Sequence, residues 1–278
     1  VLVEKPMAVH VAEADAMIAA AERAGRLLAV NLQHRHRPEV RTLKRLIGEG
    51  WLGQVQHIDF VAAWPRMARY YGLVAWRGTW DGEGAGVLLN QAPHNLDLVA
   101  HLMGLPERVV AWTRTTLHDI ETEDTAQAMF EWADGALGSF HISTAEAGRP
   151  ERLEVVGTAG HVQLVGQELR AFRLEQDLRT FMQEAEHPFA APASQAAALE
   201  LETGSGDHTA VYKNLHNAIL KGVPLAADGA EGRMSLELAN AMIFSSFTRR
   251  EVELPLDRER YAALLADLRA KRAGVGSA

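Results

Sequence analysis

The chain has 278 residues, 47% of them hydrophobic, with 36 acidic and 28 basic side chains for a formal charge of −8, and no cysteine. That length and apolar content build one large core or two ordinary ones, while the acidic balance, with no Lys/Arg stripe, excludes a nucleic-acid phosphate backbone as partner. The lack of cysteine excludes disulfides, thiolate metal sites and thiol nucleophiles, so any chemistry rests on His, Lys, acids or a cofactor.

No apolar stretch in these residues is long enough to cross a bilayer and none reads as a secretory leader, so a soluble, cytoplasmic protein is the expectation. The sequence opens on Val1-Leu2-Val3, inside an apolar run with no cap before it. The expected reading is a strand already under way, in a longer chain with further residues upstream of Val1.

Val1–Val3 before Glu4-Lys5-Pro6 fits the end of a buried parallel strand, since Pro6 cannot continue a ladder. Val11, Ala14, Ile18 and Ala21 recur at helical spacing, predicting a helix from Val11 to Ala24 closed by Gly25. Leu27–Leu32 follows as a second buried strand. Strand, helix and strand at this spacing form a βαβ unit and imply a parallel sheet. Pro38 opens a helix to Ile47, and Val55–Ala63 reads as a strand. Residues 65–86, rich in Gly, Trp and Arg, suit a loop lining a site. A helix is expected from about Gln91 to Met103, with Asn90 as its N-cap.

Strands are then expected at Val109–Thr116, Thr125–Trp132 and Ala136–Thr144, the last two joined by the Ala133-Asp134-Gly135 turn. A further hairpin is expected over Leu153–Val165. Residues 183–206 read as a long loop with one Ala-rich helical turn. Helices at His208–Leu220, Ser235–Arg249 and Arg258–Arg272, and a short strand at Glu251–Leu256, complete the series. The fold class is therefore α/β, a partial Rossmann-like parallel sheet over 1–36, followed by an α+β domain over 37–278 with an open, mainly antiparallel sheet. The last helices are free to return to the first part.

Lys5 stands just past a parallel strand, where ligands of open α/β sheets bind, and its ammonium can stabilise a developing alkoxide. A solvated strand-end lysine is the plainer alternative. His94 falls in the first turn of a helix, where the dipole disfavours imidazolium and favours a neutral general base. His94, Asp97 and His101 share a helix face, as a ligand set or a polar surface stripe would. His34 and His36 raise a metal hypothesis, but Arg35 and Arg37 flank them, so no metal is expected and they read as surface residues. Trp76-Arg77-Gly78-Thr79-Trp80 suits stacking and anion contact, or buried structural tryptophans.

In order, Glu4-Lys5-Pro6, Arg35-His36-Arg37-Pro38, Gly50-Trp51-Leu52-Gly53, Trp76-Arg77, the Asn90–Asp97 segment and Glu123-Asp124-Thr125-Ala126 resemble the Gfo/Idh/MocA oxidoreductase family. Ser235–Ala241 and Val252–Leu256 extend the resemblance across nearly the whole chain. It implies a Rossmann domain followed by an α+β domain whose sheet joins subunits, as a homodimer or homotetramer, and NAD or NADP as cofactor. It further implies hydride transfer at the CH–OH group of a sugar, polyol or related cyclic hydroxyl compound. Lys5, His94 and Asn90 then take catalytic positions. Glu4, Lys5, Pro6, Gln33, Trp76 and Arg77 fall where the cofactor is contacted, and Lys5, His94, Asp97 and His208 where substrate is. Asn90 replaces a common aspartate and Ala92 a common glycine. No Gly-x-Gly-x-x-Gly follows a strand, so these residues alone are expected to bind NAD(P) poorly. An NAD-dependent glycosidase on the same scaffold, or a non-catalytic dehydrogenase-like protein, are the alternatives.

Overall fold

A computed structural model describes residues 1–273. β1 (Leu2–Val3) runs parallel to β2 (Ala29–Val30), in register Leu2 to Ala29 and Val3 to Val30, and α1 (Val11–Arg23) makes the crossover. The start of α1 is closed reciprocally. His10 Nδ1 accepts from the Ala12 amide at 2.8 Å, and Glu13 Oε2 accepts from the His10 amide at 3.1 Å. β2 ends at Val30 because the chain tightens into a 3₁₀ turn at Gln33–His36. The strand expected over Leu27–Leu32 is thus two residues long, and His34 and His36 lie on a turn, not on a strand face.

α2 (Pro38–Gly48) starts on proline, whose missing N–H costs nothing in a first turn, and buries Val40, Leu43 and Leu46. β3 (Val55–Ala63) follows, then the short α3 (Ala68–Tyr71) and α4 (Val87–Asn90), and then α5 (Pro93–Met103). Asn90 therefore closes α4 and does not cap α5, whose N-cap position is Ala92 with no side-chain hydrogen bond. The sequence hid this because a one-turn helix has no period to read.

β4 (Arg108–Arg114), β5 (Thr125–Glu131), β6 (Leu137–Ser143), β7 (Arg152–Gly157), β8 (Gly160–Val165) and β9 (Glu168–Leu174) form the main sheet with β3. α6 (Leu178–Glu184) and β10 (Ser194–Ala197) come next, then α7 (His208–Lys221), α8 (Gly229–Thr248), β11 (Val252–Glu253) and α9 (Arg258–Ala273). The strand order is β10-β9-β8-β7-β3-β6-β5-β4-β11. Every pairing in this sheet is antiparallel except β3 with β6. The expected Ala-rich helical turn is absent from 183–206. Ser194–Ala197 instead pairs with Ala171–Leu174, because β9 offers an edge that this four-residue segment completes.

One face of the sheet is the core. Phe60 and Phe140 stack at 5.3 Å, with Ile58, Phe130 and Ile142 beside them and α5 and α8 above. α8 is buried continuously from Ser235 to Ser245, as expected of a helix wedged between layers. One side meets β4 and α5, the other α1 and β2. It begins six residues earlier than its apolar pattern suggests, capped by Asp228, which accepts from the Glu231 amide at 2.8 Å. Gly232 permits the approach, since a methyl group there would overlap the Val30 side chain.

Candidate active site

β1 delivers Glu4 and Lys5 to the same end of the small sheet at which β2 delivers Asn31 and the 3₁₀ turn. Glu4 Oε1 accepts from Asn31 Nδ2 at 2.7 Å, and Lys5 Nζ donates to the main-chain oxygen of Asn90 at 2.7 Å. Burial lowers the Lys5 pKa, while the carboxylates of Glu4 and Glu83 oppose that fall.

The ends of α4 and α5 bring the remaining groups. His94 is the second residue of α5, and its ring stacks on His34 with centroids 4.5 Å apart. Burial drives His94 down to about 3, helped by the charges of His34, Lys5 and His208. His34 falls to about 4 for the same first reason, with Arg37 and Lys5 adding to it. Both imidazoles are therefore neutral at physiological pH. His208, exposed at the start of α7, is near enough for its charge to bear on His94.

Asn90 is held from both ends of its carboxamide. Nδ2 donates to Glu83 Oε1, and Oδ1 accepts from the Tyr70 hydroxyl at 3.2 Å. Gln91 Nε2 donates to the same hydroxyl at 3.0 Å. The Arg77 guanidinium lies 4.0 Å over the Tyr70 ring and donates to the Tyr70 carbonyl, so the 65–86 loop is pinned onto the site. Trp76 is 48% exposed and 5.1 Å from Arg77. Glu83 and Tyr70 escaped the sequence reading because nothing in their spacing to Asn90 marks a contact that only loop closure creates.

Three expectations are corrected here. Asp97 is fully buried and both its oxygens accept from Arg35 Nε, at 3.1 and 3.0 Å. Arg35 also reaches the Ala226 carbonyl and Glu231, bolting the 3₁₀ turn to α5 and to the start of α8. Asp97 is thus a support beneath the site, buried out of a substrate's reach against Arg35, and the polar surface stripe is not one. His34 is likewise no surface residue, since it forms the floor under His94.

A cavity of about 740 Å³ opens from His34 outward, lined by Arg37, Glu151, Gln167, Ser205 and Asp207. A roomier one, about 1020 Å³, lies across the 202–206 loop among Arg41, Lys44 and Arg45. Of the histidine pair His34 lines the first, while Arg41, Lys44 and Arg45 in the second are bonded to Glu202, the His101 carbonyl and Glu49. His34 Nδ1, His94 Nδ1, Gln33 Oε1 and Arg77 Nε are buried and find no partner among the described residues. Such atoms are costly unless a ligand or water completes them. With Lys5 they suit the nicotinamide end of a dinucleotide and a hydroxyl beside it. Among the described residues no group of three or more His, Asp or Glu has metal-site geometry. No described helix is long and apolar enough to cross a membrane.

Residues 1–32 match the family model described as an oxidoreductase family with an NAD-binding Rossmann fold, and residues 40–163 the Gfo/Idh/MocA C-terminal domain. The WlbA dehydrogenase of Bordetella pertussis, solved with NADH and UDP-GlcNAcA, is 27% identical with a TM-score of 0.77, over 92% of this chain and 72% of that one. Its C. violaceum counterpart is 30% identical, also at 0.77, over 92% and 71%. The NADP(+)-linked scyllo-inositol 2-dehydrogenase IolW of Bacillus subtilis is 25% identical over 91% of this chain and 72% of its own length. The chain spans half or less of the first curated relatives, at 50% and 30% of their lengths. A chain that meets both halves of one family's architecture in order, and lies along most of two solved dehydrogenases, belongs to the Gfo/Idh/MocA oxidoreductase family.

Proposed function

We propose that the whole protein is an NAD- or NADP-dependent dehydrogenase acting on the CH–OH group of a sugar, polyol or related cyclic hydroxyl compound. The observation that carries this is the convergence of Lys5 Nζ and the stacked, neutral His34–His94 pair at the end of two parallel strands. One relative was solved with NADH and a UDP-linked sugar acid and another is named for NADP(+) and an inositol, which supports the substrate class. Glu4, Lys5, Pro6, Gln33, Trp76 and Arg77 are the residues of this chain that would hold the cofactor. When bound, its nicotinamide accepts or returns the hydride of the carbinol carbon.

Lys5 donates a hydrogen bond to the substrate oxygen and stabilises negative charge as the hydroxyl proton leaves. His94 takes that proton on its imidazole, which burial holds in the neutral form. His34 backs the His94 ring and fixes its plane. Asn90, through its main-chain oxygen, aims Lys5, and His208 borders the site from α7. The test is reduction of NAD and of NADP by the complete protein across polyols, aldoses and nucleotide-linked sugars. Reduction that depends on both substrate and Lys5 supports the reading, and failure on every substrate overturns it.

The open sheet face is proposed to join two or four copies, supported by Trp112, Met129 and Leu137 on neighbouring strands, exposed by 51%, 54% and 47%. Sedimentation of the complete protein decides between these states and a monomer. A cytoplasmic setting belongs to the same proposal, and fractionation of producing cells checks it.

A further inference from the structure

The Asn90 carboxamide is neutral, yet its main-chain oxygen holds the ammonium on which the proposed chemistry depends. Two carboxylates bear on Lys5 through their charge, Glu4 first and then Glu83. Glu4 is bonded to Asn31. Glu83 instead grips Asn90 itself, taking the carboxamide hydrogen on Oε1 and the Gly78 amide on Oε2 at 2.8 Å.

The chain on both sides of Glu83 is clamped. A methyl group on Gly82 would overlap Trp76, and one on Gly84, at φ +78°, would overlap Val9. The carboxylate so placed is 9% exposed. A buried acid is an expensive way to fill space, and an apolar side chain of the same size would do that better. Burial pushes the Glu83 carboxyl up from its ordinary range, while the bonds from the Gly78 amide and Asn90 and the charges of Arg77 and Lys5 oppose that rise, and its own charge bears in turn on Glu123 and Tyr71. Around Lys5 stand Glu4, Glu83, His34 and His94, and of these Glu83 hydrogen-bonds the side chain of the residue that receives the Lys5 hydrogen bond.

We infer that Glu83 is a positioning residue for Lys5: it shares the counter-charge with Glu4 and, through Asn90, sets where the ammonium points. The consequence for turnover rests on the dehydrogenase reading, whereas the charge coupling does not.

Two substitutions separate charge from reach in the complete protein. Glu83→Gln keeps the size and removes the charge. Labelling of Lys5 by an amine-reactive acetylating reagent, followed by peptide mass spectrometry across pH, reads its protonation directly. The expected result is roughly three- to tenfold more unprotonated Lys5 at a given pH in E83Q, a fall of about half to one pKa unit. An unchanged Lys5 titration overturns the inference. Glu83→Asp keeps the charge and withdraws it from Asn90, so Lys5 should titrate as before while kcat falls about tenfold or more with little change in KM. E83D with normal kcat removes the positioning role. Should E83Q not fold, the E83D split decides alone. Should the protein reduce neither NAD nor NADP with any substrate, the dehydrogenase reading fails and the E83Q labelling still decides the coupling.

Discussion

β1 and β2 are two residues each and pair at two register positions, whereas β3, β4, β5 and β6 run seven to nine residues with ladders along most of their length. The proposed chemistry is nonetheless gathered on the small sheet. A pair of two-residue strands has no independent stability. Its rigidity is borrowed, from α8 lying across β2 and from Arg35, which ties the 3₁₀ turn to Asp97 on α5 and to Glu231 on α8. The large sheet supplies the platform, and a few long-range bonds carry its order to the reactive end.

If that division of labour holds, the largest effect comes from cutting the tie. Asp97→Asn leaves the Arg35 guanidinium buried beside a neutral amide, and a loss of about 3–5 kcal/mol in urea denaturation is expected. A loss below about 1 kcal/mol would break the comparison, because the small sheet would then stand unaided. Lys5→Met tests the other side. If the proposed chemistry holds, kcat of the complete protein is expected to fall about 10²–10³-fold, equivalent to roughly 3–4 kcal/mol, with unfolding unchanged. A destabilised K5M protein would mean that chemistry and support are not separate.

Gly232→Ala probes the seat of α8 on β2, where the added methyl meets Val30, and about 1–3 kcal/mol of overpacking cost is expected in the same assay. A smaller effect concerns pH. His101 on α5 is lowered from 6.5 to about 3, by burial first and then by Arg35 and Lys44. Below its unfolded value the unfolded chain binds the proton and the folded one does not, so stability is full above pH 6.5 and is lost on acidification toward 3. His101→Gln should flatten that fall by up to about 1.4 kcal/mol per pH unit, read from urea midpoints at about pH 7 and pH 5. Least of all, Trp112→Ser on the open face should move monomer stability by no more than about 0.5 kcal/mol, while dissociating any assembly made there.

The sequence disclosed the parts of this molecule that are locally written. Local signals placed α1, α2, α5 and α7 within a few residues, and β3 through β8 as strands. What it hid is made by distance along the chain. Ser194–Ala197 is a strand only because β9 presents an edge, and Asn90 reads as a cap until α4 is seen to end there. Lys5 and His94 stood out as candidates from strand-end and helix-start positions, with plainer alternatives beside them. Asp97, Tyr70 and Glu83 were not legible, because their meaning lies in Arg35 and Asn90, which reach them through loops with no fixed spacing.

The parallel pairing of β3 with β6 also sets an order of events. As the chain emerges from a ribosome, Val55–Ala63 appears long before Leu137–Ser143 and Arg152–Gly157, the two strands that flank it. Until they arrive, Ile58, Phe60, Val61 and Ala62, all buried in the finished sheet, have no ladder to join. Closing so long a loop is entropically slow. The centre of the sheet is therefore laid down early and completed late, which makes β3 a segment that gains from a chaperone during synthesis.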